Sequence, residues 1–278
     1  HFFGPFLYRS EFHATTEAEE CERALRHLEQ TIIFEGPNTI AAIILESIPG
    51  TAGIMVPPQG YLSGVREICD RYGIIYIADE VMSGFGRSGE WFAIDAEPVR
   101  PDLITFAKGV NSGYVPLGGV IVSAPIVETF SERVYPGGLT YSGHPLACAA
   151  AVATMTAMAE EGIVENAKRI GDEILRPGLE ALAEKHHVIG EVRGKGVFFA
   201  LDLVVDRATK EPLAPYGGTS PAMGDLGAAM KAEGLFPFMN YHRLHIVPPC
   251  TISSGEATEA LTRLDRALTA IDDHYQGS

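Results

Sequence analysis

Positive charge is scarce in this chain. Its 278 residues hold 21 Lys and Arg against 36 Asp and Glu, a formal net charge of −15. Binding to a phosphate backbone needs a surplus of Lys and Arg, so nucleic acid is not an expected partner. The acidic balance promises solubility instead. Cysteine is also sparse. Cys21, Cys69, Cys148 and Cys250 show no metal-ligand spacing, and no metal site is expected from them. They sit in apolar or helical contexts and read as reduced thiols of a cytoplasmic protein. No apolar run approaches the roughly 18 residues of a membrane span, so no membrane partner is expected. A signal-peptide pattern, internal repeats and low-complexity stretches are absent too. The opening residues, His1-Phe2-Phe3-Gly4-Pro5, show neither an initiator Met nor the start of an element, so further sequence is expected upstream.

What is present is a chain with 46% hydrophobic and 21% charged residues, sufficient for one or two sizeable cores. Cys21, Leu25 and Leu28 fall at helical spacing within a charged stretch, 17–30. The run from Ile40 to Leu45 is too short for a helix and reads as a buried parallel strand. Apolar residues at 61, 65, 68, 69 and 72 predict an amphipathic helix that Gly73 ends. Strands are predicted over 74–78, 103–106 and 119–122. Such alternation gives an α/β layered domain. An Ala-rich helix follows Pro145, and another is predicted over 163–185. The pattern then changes to strands within 188–205, a Pro/Gly-rich loop to Pro221, and a helix, a strand over 242–247 and a last amphipathic helix. We expect a large domain over 1–175, including a connecting helix, and a small α+β domain over 176–278.

In open α/β sheets, ligands bind at the carboxyl ends of strands. Two chemically telling residues fall there. Asp79 ends the strand 74–78, and Lys108 follows the strand 103–106. A lysine amine can form a Schiff base with an aldehyde, and a carboxylate can keep a pyridine nitrogen protonated. The pair suits pyridoxal 5′-phosphate (PLP) chemistry. The apolar residues 103–107 and Gly109 predict a buried setting for Lys108.

The stretch Ile77-Ala78-Asp79-Glu80-Val81-Met82-Ser83-Gly84-Phe85-Gly86-Arg87-Ser88-Gly89, then Phe106-Ala107-Lys108-Gly109 and Ser112-Gly113-Tyr114-Val115-Pro116-Leu117-Gly118-Gly119, resembles the class III aminotransferases. Thr140-Tyr141-Ser142-Gly143-His144-Pro145 and the Pro248-Pro249 pair agree with it. The resemblance implies a PLP-dependent transferase of fold type I, with a mainly parallel sheet in the large domain and a small C-terminal α+β domain. It implies that Lys108 carries the cofactor and moves the proton, that Asp79 bonds the pyridine nitrogen and that Val81 packs on one face of the ring. Thr140 would reach the cofactor phosphate of a neighbouring subunit, which implies a homodimer with shared active sites. The glycines of 84–89 could cradle a phosphate but are read as scaffold, with Arg87 as an ion-pair partner. His144 is read as structural, and His186-His187 as capping a helix. The family's phosphate loop and its ring-stacking aromatic find no counterpart here and would lie upstream of His1.

Between Glu46 and Gly53, branches of the family that act on γ-aminobutyrate or ornithine carry a Glu; this chain has Thr51. That departure points to an ω-amino acid or amine as donor and a 2-oxo acid, pyruvate, as acceptor. Arg243, near the Pro-Pro pair, could grip a substrate carboxylate. Two other readings are an aminomutase of the glutamate 1-semialdehyde kind and a PLP-fold protein without catalysis.

Overall fold

A computed structural model describes residues 1–236 and 238–277. Contacts divide the chain into two compact units: His1–Ile48 with Val56–Phe85 and Glu90–Gly162, and Pro49–Met55 with Gly86–Gly89 and the residues from Ile163 onward.

In the first unit, helix α1 (Glu17–Glu35) starts on Thr16, whose hydroxyl accepts from the Glu19 N–H at 3.2 Å. Its buried stripe includes Ala24, Leu28 and Ile32. Strand β1 (Ala42–Glu46) precedes helix α2 (Tyr61–Tyr72), which buries Leu62, Val65, Ile68 and Cys69 and ends on left-handed Gly73. Strands β2 (Ile75–Asp79), β3 (Leu103–Phe106) and β4 (Gly119–Val122) complete a sheet in the order β1-β2-β3-β4. The first three strands are parallel and β4 is antiparallel to β3. Asp102 fixes the entry to β3, accepting from the Tyr76 N–H at 2.8 Å and from Arg66 at 2.7 Å. Helices α3 (Ala124–Thr129) and α4 (Pro145–Glu160) follow.

The expectation that β1 is a fully buried strand needs correction. It is an edge strand, with Ile44 57% exposed. An Ile-rich run reports the chemistry of a covered face but not the strand's place in the sheet order.

The second unit starts with α5 (Ile163–Ile170), a π-helical turn (Gly171–Leu175) and α6 (Arg176–Lys185). The single helix expected over 163–185 is thus interrupted. Pro177 lacks an N–H to continue the regular ladder, and Gly171 lies against the Gly196 backbone. Strands β5 (Ile189–Lys195), β6 (Phe198–Asp206) and β7 (Glu211–Pro212) precede α7 (Pro221–Ala232). Then come β8 (Phe238–Asn240), β9 (Arg243–Ile246) and α8 (Ser254–Leu268). The antiparallel sheet runs β5-β6-β9-β8, with β7 on β6. Phe199, Leu201, Leu203 and Leu244 pack with Leu226, Leu264 and Leu268 of the helices. Each such side chain contributes about 1.5–3 kcal/mol by leaving water. Ser253 and Glu256 close a reciprocal cap at the start of α8. Among the described residues, no single helix is long and apolar enough to cross a membrane.

His186 does more than cap. Its N–H ends α6 on the Leu182 carbonyl at 2.7 Å, while its fully buried ring lies between two acids. Nδ1 stands 2.9 Å from both Asp272 oxygens, and Nε2 2.7 Å from Asp265 Oδ1. Hydrogen bonds from Lys185 and His186 hold the Asp265 carboxyl below its usual range. The folded chain therefore binds that proton less readily than the unfolded one. The resulting stability is present above the ordinary carboxylate range and lost as pH falls through the depressed folded value. Asp265→Asn should destabilise the chain by about 1 kcal/mol at pH 7, and the gap from the unsubstituted protein should narrow towards pH 3, read by urea unfolding.

Candidate active site

Strands β2 and β3 carry the centre of the site. Asp79 is the last residue of β2 and stands in register with Thr105 of β3. Its Oδ1 accepts from the Val81 N–H at 3.0 Å, closing a tight turn at the strand end. That bond holds one oxygen and brings Asp79 and Val81 together. No hydrogen bond to the other oxygen is found among the described residues. Both residues are half-buried.

Lys108 leaves β3 through Ala107 and opens a short 3-10 turn, Lys108–Asn111. Its φ is +43°, in the left-handed region that non-glycine residues seldom occupy. Val110 and Asn111 are buried beneath it, and α4 packs against this turn. The Lys108 side chain itself is exposed, contrary to the burial expected from its apolar neighbours. Residues 103–107 are only half-buried because the flanking strand β4 is the open edge, with Val120 51% exposed. Lys108 makes no ion pair among the described residues. Among the described residues, a carboxylate oxygen without a donor and an amine without a counter-ion thus stand at the carboxyl ends of neighbouring parallel strands, a set of groups chemically suited to PLP.

Thr140 belongs to the same unit but to an exposed turn before α4. Among the described residues it has no hydrogen bond. His144 is the N-cap of α4, with Pro145 in its first turn. Arg243 belongs to the second unit, where it opens β9 and is buried. Its guanidinium lies 5.8 Å from the Tyr241 ring centre, and a Cβ on Gly53 would stand 2.8 Å from its Cδ. On the same strand, His245 is held neutral. Burial lowers its pKa to about 4, assisted by the positive charges of Arg243 and Arg193.

Arg87 is a scaffold residue, although it works through carbonyls and not as the ion-pair partner expected. Nη1 donates to the Pro248 oxygen at 2.5 Å and to the Val197 oxygen at 3.2 Å. A guanidinium can cross-link backbone oxygens as readily as carboxylates. One residue was overlooked in the sequence. Glu80 is fully buried; Oε2 accepts from the Ser83 hydroxyl at 2.7 Å and the Ala93 N–H at 2.9 Å, and Oε1 from the Ile94 N–H at 2.8 Å. Burial raises its pKa, and these hydrogen bonds offset part of the rise. The signal available was an acid in an apolar context, since such a group is kept only where donors surround it.

The model of the family described as "Aminotransferase class-III" matches residues 3–268. A taurine–pyruvate aminotransferase of Bilophila wadsworthia is 34% identical over 97% of this chain and 60% of its own length. A diaminobutyrate–2-oxoglutarate transaminase of Halomonas elongata is 36% identical over 98% and 59%. Among solved structures, a taurine:2-oxoglutarate aminotransferase from Bifidobacterium kashiwanohense, in complex with PLP and glutamate, superposes with a TM-score of 0.93. It is 42% identical over 98% of this chain and 61% of its own. The chain therefore spans about 60% of the length of these relatives. Its fold is that of the PLP-dependent transferases of fold type I. With the family match running through both units, and with an acid and an amine at neighbouring strand ends, the chain belongs to the class III aminotransferase family.

Proposed function

We propose that the protein carrying this chain is a PLP-dependent transaminase that moves an amino group from an ω-amino acid or amine to a 2-oxo acid, with pyruvate as acceptor. The observation that carries this reading is that Asp79 ends β2 and Lys108 follows the end of its parallel neighbour β3. When bound, PLP supplies an electron sink for the substrate carbon. Lys108 would hold the aldehyde carbon at rest and, once released, would move the proton from the amine-bearing carbon of the donor to the cofactor. Asp79 keeps the proton on the pyridine nitrogen by Coulombic attraction. Val81 would pack on one ring face. Thr140 serves the phosphate of the cofactor in a second copy, in a homodimer with shared sites. Arg243 takes the acid group of the substrate in a two-pronged bond.

Thr51 in place of the acidic residue supports pyruvate as acceptor, and the taurine–pyruvate relative supports a taurine-like or β-alanine-like donor. A reducing, cytoplasmic setting belongs to the same proposal, supported by four free cysteines. A panel of amine donors against pyruvate and 2-oxoglutarate, run on the intact protein, tests it. We expect turnover only with both substrates, parallel double-reciprocal lines and a preference for pyruvate. Turnover of one amino-aldehyde with no oxo acid would replace the transaminase by an aminomutase. Failure to take up PLP at Lys108 would remove the enzyme reading altogether.

A further inference from the structure

We infer that Glu80 is a positioning residue for Lys108, acting through Phe85; this rests on the proposed role of Lys108. The starting observation is a pair of strained residues. Phe85 has a φ of +55° and Lys108 a φ of +43°, a conformation unfavourable for any side chain and most unusual for a bulky one. The two positions touch through one neighbour. A Cβ added to Gly109 would stand 2.7 Å from the Phe85 Cβ and 3.4 Å from its Cγ, so the root of the Phe85 side chain lies directly on Gly109. The Phe85 ring is wedged edge-on between Phe92 at 5.4 Å and Phe106 at 5.7 Å. Phe106 ends the strand that delivers Lys108.

Something must hold Phe85 in that strained pose, and the buried Glu80 carboxylate has the bonds to do so. It collects the Ser83 hydroxyl from one side of Phe85 and the Ala93 and Ile94 amides from the other. The Gly84 N–H bonds the Glu80 carbonyl at 3.1 Å, and the Phe85 N–H bonds the Trp91 carbonyl at 2.6 Å. Glu80 in turn is fixed to the catalytic strands, its N–H donating to the Thr105 carbonyl at 2.9 Å. Charge-assisted bonds from backbone amides are the strong kind, and a buried acid that lost them would leave orphaned donors. One carboxylate thus draws 83–85 and 91–94 together, seats Phe85 on Gly109 and sets the direction in which Lys108 leaves β3.

Three variants in the intact protein test this: Glu80→Gln, Glu80→Ala and Gly109→Ala, with Ile68→Val as a control for general loosening of the same core. The readouts are the Kd for PLP, borohydride trapping of PLP at Lys108 mapped by mass spectrometry, the visible circular dichroism of bound PLP, and the urea midpoint. Displacing a reacting group by about 1 Å costs on the order of 10²-fold. Gly109→Ala and Glu80→Ala should weaken PLP binding and slow trapping by about that factor. Glu80→Gln keeps one acceptor oxygen and should fall between them and the unsubstituted protein. Ile68→Val should lower the urea midpoint with PLP binding unchanged. Where a Glu80 variant fails to fold, Phe85→Leu takes its place, with the same expectation for Kd and dichroism. Folded variants that bind and trap PLP like the unsubstituted protein would overturn the positioning role while leaving Lys108 its function. Absence of trapping at Lys108 in the unsubstituted protein would overturn both.

Discussion

Lys108→Ala in the intact protein is expected to lower turnover by about 10⁴-fold or more while leaving the fold intact. The general-base role alone is worth about 10²–10⁴. Loss of the covalent hold on the cofactor adds to it. The structure makes this a clean experiment because the side chain is exposed and without an ion pair among the described residues. Exposed substitutions of this kind usually stay within about 0.5 kcal/mol. The urea midpoints of the PLP-free proteins should therefore hardly differ, while borohydride no longer fixes PLP to the peptide around position 108. Lys108→Arg should be equally inactive, since a guanidinium keeps the charge but does not form the Schiff base. An Arg variant that retained turnover would show that the charge, and not the amine, is what the site requires.

The strand-end positions of Asp79 and Lys108 were legible in the sequence because each follows a short apolar run, and a polar residue at the end of such a run marks the carboxyl edge of a strand. Helix α2 was legible to its last residue, because its apolar spacing is helical and Gly73 stops it with a φ of +66°. Sheet position was not. The Ile-rich β1 and the Val-rich β4 carry the composition of covered strands, and both lie at the edges of the sheet in this chain, which spans about 60% of the length of its relatives. Composition records which surfaces are apolar but not what covers them. The π-helical turn at Gly171–Leu175 was hidden for a related reason. Pro177 is a local signal for it, but the other cause is a close approach to Gly196, a residue that nothing in the 163–185 pattern reports. Glu80 reads in the sequence only as an acid in an apolar context, with no sign of what surrounds it. Its donors at Ala93 and Ile94 are backbone groups that no side-chain motif reveals.

The largest stability effect is expected at Gly196. This glycine forms the turn between β5 and β6 with a φ of +58°, where an L side chain costs roughly 1–2 kcal/mol. A Cβ there would stand 2.4 Å from the Gly89 nitrogen and 2.4 Å from the Ser88 carbonyl carbon. Neither can swing aside as a side-chain tip could. On the other side, a Cβ on Gly171 would lie 2.1 Å from the Gly196 oxygen, so three backbones are stacked with no layer of side chains between them. Arg87 fastens the same stack through the Val197 and Pro248 carbonyls, and the Val197 N–H returns a bond to the Arg87 carbonyl at 3.2 Å. Adding the backbone penalty to an overpacking cost of about 1–3 kcal/mol, Gly196→Ala should lose roughly 2–5 kcal/mol, a large share of the 5–15 typical of a folded domain. Gly224→Ala makes the opposite test. Gly224 lies inside α7 with nothing within 4 Å of the added carbon, so the change should gain about 0.5–1 kcal/mol. Urea unfolding of both variants decides the matter, and a small effect at Gly196 would mean the stack can part. The same contacts explain why the glycines near Arg87 serve as scaffold and not as a phosphate cradle. Gly86, Ser88 and Gly89 are buried, and the backbone that Ser88 and Gly89 would offer a ligand is already taken by the turn at Gly196.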